Sequence, residues 1–179
     1  YLSRIVTDLR DLSLAEAGQL SLEKSATDVN LLVHRAVSML DPLAFERNVS
    51  LQEDVIPVPS LLLDSRRISQ VLYNLLTNAI RYTPENGEVR ISTRTLSRTG
   101  RDWLQISVRD NGCGIAAVDL PYIFEHFYRA DKARDKKSGG SGIGLAIVKQ
   151  LIEIHGGFVE AHSELGKGCQ FDVFLPIQQ

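Results

Sequence analysis

Residues 74–82 read NLLTNAIRY, and they place two asparagines, Asn74 and Asn78, one turn apart in the middle of a helical pattern. Asparagine is a mediocre helix former, because its short amide competes for nearby backbone groups. On a helical wheel of residues 65–82, at roughly 100° per residue, Ile68, Leu72, Leu75, Leu76 and Ala79 gather on one side. Gln70, Asn74, Asn78 and Arg81 gather on the opposite side within about 80°. A solvated helix face accounts for many such stripes, but it normally carries Lys and Glu. Three carboxamides and an arginine with no acid among them also fit a wall turned towards a ligand.

Working outward, Asp64 is placed to cap this helix, and Pro84-Glu85-Asn86-Gly87 ends it in a turn. Upstream, Asp28 caps a second helix through about Arg47; Asn48–Val55 reads as a strand and Ser60–Leu63 as a short buried one. Downstream, Val89–Leu96 and Trp103–Asp110 form two strands joined across Thr99-Gly100. In the second, Leu104, Ile106 and Val108 alternate with Gln105, Ser107 and Arg109, as in a sheet with one buried face. A helical turn is expected near Leu120–Phe124, a helix from Ile143 to His155, and strands at Phe158–Ser163 and Cys169–Leu175 around the turn Gly166-Lys167-Gly168. Residues 1–16 form an amphipathic helix on Leu2, Ile5, Val6, Leu9 and Leu12, stopped near Gly18. Its stripe packs either on its own domain or into an intermolecular bundle. The fold class expected is an α+β two-layer sandwich with helices on one face of a mixed, mostly antiparallel sheet.

Composition narrows the function classes. The 179 residues suit one domain with a good core, and 44% apolar with 23% charged residues is ordinary globular usage. A formal charge of −2 argues against a dedicated nucleic-acid binder. No apolar run of about 18 residues is present to span a membrane, and no signal peptide is visible; the start at Tyr1 looks like a fragment boundary. Cys113 and Cys169 make neither a disulfide framework nor a zinc pattern, which suits a reducing compartment.

The glycines add chemistry. Asp110-Asn111-Gly112-Cys113-Gly114-Ile115 follows directly on a strand, so a carboxylate stands beside backbone that a ligand can approach closely. An ionised carboxylate only accepts hydrogen bonds, so it selects a ligand amine over a carbonyl, adenine over guanine. An Asx-Gly turn without a ligand is the plainer alternative. Gly140-Ser141-Gly142-Ile143-Gly144 opens a helix, whose free N–H groups favour phosphate. Neither a Rossmann fingerprint nor a Walker A motif occurs, nor does the His-Arg-Asp loop of eukaryotic-type kinases. Cys113, between two of these glycines, is either a small filler or an accessible thiol.

Taken in order, Gln70-x-x-x-Asn74-x-x-x-Asn78-Ala79-x-x-Tyr82, Asp110-x-Gly112-x-Gly114-Ile115, Ile123-Phe124-Glu125-x-Phe127-Tyr128-Arg129, Gly140-x-Gly142-x-Gly144-Leu145 and Gly166-x-Gly168 resemble the boxes of the catalytic ATP-binding domain of bacterial sensor histidine kinases. The resemblance covers about residues 27–176, and residues 1–17 resemble the end of the second dimerisation helix. It implies the Bergerat fold, with residues 1–26 as dimerisation-helix end and linker and 27–179 as the catalytic domain. It also implies that Asn78 coordinates Mg²⁺, Asn74 sits near the phosphates, Arg81 neutralises their charge and Tyr82 lines the pocket. Asp110 would accept the adenine amine, with Gly112, Gly114 and Ile115 around it. Arg129 and Lys132 would reach the γ-phosphate, and Gly140, Gly142, Gly144 and Leu145 would let a lid close over the triphosphate.

Related gyrase and Hsp90 ATPases carry a water-activating Glu where this chain aligns Asn74. An amide cannot take a proton, which disfavours hydrolysis and leaves transfer to a supplied nucleophile. The family's phosphoacceptor histidine is followed by an acid and typically Arg-Thr-Pro. His34, His126, His155 and His162 are followed by Arg35, Phe127, Gly156 and Ser163, so packing or surface roles are expected for all four. The expected activity is therefore histidine phosphorylation, with ATP and Mg²⁺, on an upstream dimerisation domain. The partners implied are that domain, a homodimeric second copy and a response-regulator receiver. The implied setting is a cytoplasmic domain of a plasma-membrane-anchored parent. A serine kinase of the anti-sigma type and a non-catalytic nucleotide-sensing module are the alternatives.

Overall fold

A computed structural model describes residues 2–129 and 142–177, the side chains of 2–5 excepted. The elements run α1 (Leu2–Glu16), β1 (Ser25–Thr27), α2 (Val29–Glu46), β2 (Ser50–Val55), β3 (Leu61–Leu63), α3 (Ser65–Tyr82), β4 (Glu88–Arg98), β5 (Arg101–Asp110), α4 (Gly144–Ile154), β6 (Phe158–Glu164) and β7 (Gly168–Pro176). A short 3-10 turn at Leu120–Tyr122 lies between β5 and α4. Five strands form one sheet in the order β2-β4-β5-β7-β6; β2 runs parallel to β4 and the other neighbours are antiparallel. This is the mixed, mostly antiparallel α+β sandwich expected from the sequence. The parallel β2–β4 pair follows from the crossover between them, because α3 carries the chain back to the start of β4.

The core lies between that sheet and α2, α3 and α4. Ile68, Val71, Leu72, Leu75, Leu76, Ala79 and Ile80 of α3 are buried, facing Ile91 of β4, and Leu104, Ile106 and Val108 of β5 are buried with them. Each fully buried Leu or Ile contributes about 2 kcal/mol, so this stripe outweighs the poor helix propensity of the asparagines on the other side. Asp64 caps the helix as expected, its Oδ1 accepting from Arg67 N at 3.1 Å. The β4–β5 hairpin closes on Thr99 and Gly100, both at positive φ (53° and 73°), the mirror-type two-residue turn that matches strand twist.

One strand was not anticipated, and one open alternative is decided. Ser25–Thr27 pairs antiparallel with Leu61–Leu63 as a separate two-stranded sheet, a strand too short to show alternation. Helix α1 packs on its own domain against α4, and it also reaches α3 through polar groups. Leu12 and Ala15 are buried while Val6 and Leu9 stay exposed. Asp11 makes a buried, two-pronged ion pair with Arg67, and Asp8 Oδ1 accepts from Gln70 Nε2 at 2.8 Å. Gln70 therefore serves the α1–α3 contact, which corrects its placement in the ligand-facing stripe.

His155 ties the far ends of α3 and α4 together. Its Nδ1–H donates to Leu151 O at 2.7 Å, and its Nε2 accepts from Asp64 N at 3.1 Å. The other oxygen of Asp64, Oδ2, accepts from Glu23 N at 3.0 Å, so the linker after α1 joins the same cluster. Burial holds the His155 pKa below its ordinary 6.5; Lys24 and Arg67 push the same way, against the Leu151 carbonyl and Asp64. As pH falls, the unfolded chain takes up this proton first, at about pH 6.5. The stability His155 contributes is thus present above that pH and lost on going down towards its folded pKa. A series of urea unfolding curves should show the wild type losing stability below about pH 6.5 more steeply than His155→Gln. Parallel pH dependences would contradict this role.

Candidate functional site

Three segments make up the candidate site, and the loop after β5 and the start of α4 each touch α3. The first is the loop after β5. Asp110 ends that strand, 6% exposed, and its Oδ1 accepts from Gly112 N at 2.8 Å and from Cys169 N at 3.2 Å. Burial pushes the Asp110 carboxyl above its ordinary value of 3.8, and those two N–H groups pull it back. Both fall on one oxygen. Among the described residues Oδ2 has no protein partner, so it stands ready for an outside donor.

The glycines are required by contact here. A Cβ on Gly112 would lie 2.4 Å from the Tyr82 carbonyl oxygen, and one on Gly114, at φ +69°, would lie 2.1 Å from that of Glu164. Cys113 N donates to Tyr82 O at 3.3 Å, and Gly166 N donates to Cys113 O at 2.7 Å. The loop is thereby stitched to the end of α3 on one side and to the β6–β7 turn on the other. Cys113 itself is exposed.

The second segment is α3. Asn74 is 9% exposed, with its Nδ2 3.5 Å from the carbonyl oxygen of Gly144. Asn78 and Arg81 are half-buried further along, and Tyr82 is 40% exposed. Arg81 gives its carbonyl to the Arg47 guanidinium at 3.3 Å. The third segment is the start of α4, where Gly144 and half-buried Leu145 form the first turn and Ile143 supplies no side-chain cap. The N–H groups of a helix N-terminus suit an anion.

Gly142, at φ +71°, accepts from Phe127 N at 3.0 Å, which brings the residues after Tyr122 to the start of α4. Phe127 is itself at positive φ (61°) and 63% exposed. Arg129 is half-buried at the edge of the described structure. Lys132 and Gly140 lie outside the described residues. A recess of about 420 Å³ lined by Leu43, Glu46, Arg47, Thr83 and Glu85 opens beside the C-terminal end of α2 and contains none of the expected site residues.

Among the described residues no group of three or more His, Cys, Asp or Glu could hold a metal ion. A lone neutral amide nonetheless fits Mg²⁺, a hard cation that commonly takes one or two protein oxygens and completes its shell with phosphate and water. Asn78, half-buried one turn beyond Asn74, offers such an amide. Residues that sequence reasoning did not single out include Asn111, whose Oδ1 accepts from Glu88 N at 2.8 Å, and Ser163, whose hydroxyl touches both the glycine loop and the β6–β7 turn. A serine in a strand carries no pattern that would have found it.

An acceptor carboxylate beside a glycine loop, an amide-bearing helix and a helix N-terminus together suit a nucleotide site. The comparisons agree. A family model described as histidine kinase-, DNA gyrase B- and HSP90-like ATPase matches residues 63–179. Sensor histidine kinase WalK of Bacillus subtilis is 43% identical over 117 residues, 65% of this chain and 19% of its own length. Sensor-like histidine kinase SenX3 of Mycolicibacterium smegmatis is 35% identical over 175 residues, 98% of this chain and 44% of its own. The crystal structure of full-length ShkA in complex with AMPPNP matches with a TM-score of 0.83 at 30% identity, over 98% of this chain and 35% of that one.

The chain belongs to the family of histidine kinase-, DNA gyrase B- and HSP90-like ATPases, and its fold is that of a sensor histidine kinase ATP-binding domain. It spans 21%, 13% and 19% of three of the curated relatives it matches. No described helix is long and apolar enough to cross a membrane.

Gly112→Ala forces its methyl into the Tyr82 carbonyl and should weaken binding of a fluorescent ATP analogue by about tenfold or more, a cost of about 1.4 kcal/mol at least. Circular dichroism should stay that of a folded domain. Unchanged affinity would show that this close approach does not shape the site.

Proposed function

We propose that the chain binds Mg–ATP in the crevice between α3, the Asp110 loop and the start of α4, and phosphorylates a histidine on a dimerisation domain. What supports this reading is that the Asp110 and Gly112–Gly114 loop is stitched to the end of α3, while Asn74 on the same helix lies against Gly144 at the start of α4. Residues 1–26 would be the end of the second dimerisation helix and its linker, and 27–179 the catalytic domain. A homodimeric, membrane-anchored parent would present its histidine to this site, and a response-regulator aspartate would receive the phosphoryl group.

Within the crevice, Asp110 Oδ2 accepts the adenine amine while Gly112, Gly114, Ile115 and Tyr82 give the base room. Asn74 and Arg81 face the phosphates together with Gly142, Gly144 and Leu145. Arg129 reaches the γ-phosphate, a role the family resemblance also implies for Lys132, and for Gly140 it implies a place over the triphosphate. Asn78 would hold Mg²⁺, which would supply charge neutralisation on the phosphates. Transfer forms a P–N bond to the imidazole and breaks the bond to ADP, a step that depends mainly on positioning and charge. Asn74 has no proton-accepting carboxylate, so water is not activated and the histidine is favoured as nucleophile.

Two measurements test the assignment. Asn78→Ala should weaken ATP binding several-fold more with Mg²⁺ than in EDTA by calorimetric titration, since only the metal-linked part is lost; equal losses would remove Asn78 as the ligand. Arg129→Ala should slow phosphoryl transfer by about tenfold or more yet leave ADP affinity nearly unchanged, because ADP lacks the γ-phosphate. A matching loss for ADP would place Arg129 elsewhere.

A further inference from the structure

Ser163 lies near the end of β6, outside every residue considered above for nucleotide contact. Its Oγ accepts from Ile115 N at 2.8 Å and donates to Gly168 O at 2.8 Å, and Cys169 Sγ approaches the same oxygen at 3.2 Å. One hydroxyl has one hydrogen and two lone pairs, so these three contacts use its full capacity. Ile115 closes the glycine loop that begins at Asp110, and Gly168 precedes Cys169. The two segments that Ser163 joins are therefore the two whose N–H groups, Gly112 and Cys169, meet on Asp110 Oδ1.

We propose that Ser163 is a positioning residue for base recognition, clamping the glycine loop to the β6–β7 turn so that Asp110 keeps Oδ2 turned to the purine amine. This rests on the reading of Asp110 as the adenine acceptor. The clamp is local. Without the hydroxyl, Gly166 N still donates to Cys113 O and Gly114 still packs against Glu164 O, so the loop stays attached but loses the strut nearest Cys169. What suffers is the rotation of the Asp110 carboxylate, and with it the discrimination between an amine and a carbonyl at the purine 6-position. Asp110 is the group that touches the base; Ser163 acts through it.

The test is a displacement titration of a fluorescent nucleotide by ATP and by inosine triphosphate, which replaces the 6-amine by a carbonyl. It is run on the wild type, Ser163→Ala, Ser163→Thr and Asp110→Asn, each with a melting curve. Ser163→Ala should weaken ATP by about three- to tenfold, the effect of one lost hydrogen bond. Inosine triphosphate should weaken less, so the ATP preference falls by about threefold. Ser163→Thr, which keeps the hydroxyl, should restore the preference, and Asp110→Asn should erase or invert it. If Asp110→Asn keeps the wild-type preference, the base-recognition reading fails and the Ser163 inference with it. If Asp110→Asn loses the preference while Ser163→Ala keeps it, or Ser163→Thr does no better than Ser163→Ala, the role of Ser163 alone is overturned.

Discussion

Burial of one face of α3 against the sheet is the constraint on which the rest of the molecule depends. Once Ile68, Leu72, Leu75, Leu76 and Ile80 are packed onto the inner face of β4 and β5, the rotation of the helix about its axis is fixed. Asn74 and Asn78 must then point away from the sheet, and Asn74 lies against Gly144 at the start of α4. Each buried aliphatic side chain contributes about 2 kcal/mol, against a propensity cost below about 1 kcal/mol for each asparagine. The fold can therefore hold poor helix formers where a ligand needs their oxygens.

A second device ties the crevice together from the sheet side. Asp110 ends β5, and a single oxygen of its carboxylate gathers N–H groups from the loop that follows and from β7. Burial raises the energy of that charge, and the two N–H groups offset part of the rise, which leaves a carboxylate poised to accept one more donor. The close approaches at Gly112 and Gly114 have the same origin, since the loop lies directly against backbone of α3 and of the β6–β7 turn.

Much of this was legible because it is periodic or capped. The α3 stripe, the Asp28 and Asp64 caps, the β5 alternation and the Thr99-Gly100 turn all follow from local chemistry, and the two-layer sandwich follows from them. What stayed hidden depends on contacts distant in sequence. Gln70 lies on the polar stripe by angle, yet Asp8, sixty-two residues away, takes its amide. The Arg67–Asp11 pair settles α1 on its own domain, and no helical wheel of α1 could show that. Strand β1 has three residues and no alternation to read, and Ser163 matters only because Ile115 and Gly168 meet there.

The central claim is that this crevice delivers phosphate to a histidine rather than to water. The most direct measurement mixes the chain with the separately purified dimerisation domain of its parent and γ-labelled ATP, following label on protein and as free phosphate. The account predicts acid-labile, alkali-stable label on the dimerisation domain, dependent on this chain, with little free phosphate. Rapid release of inorganic phosphate with no labelled histidine would contradict it.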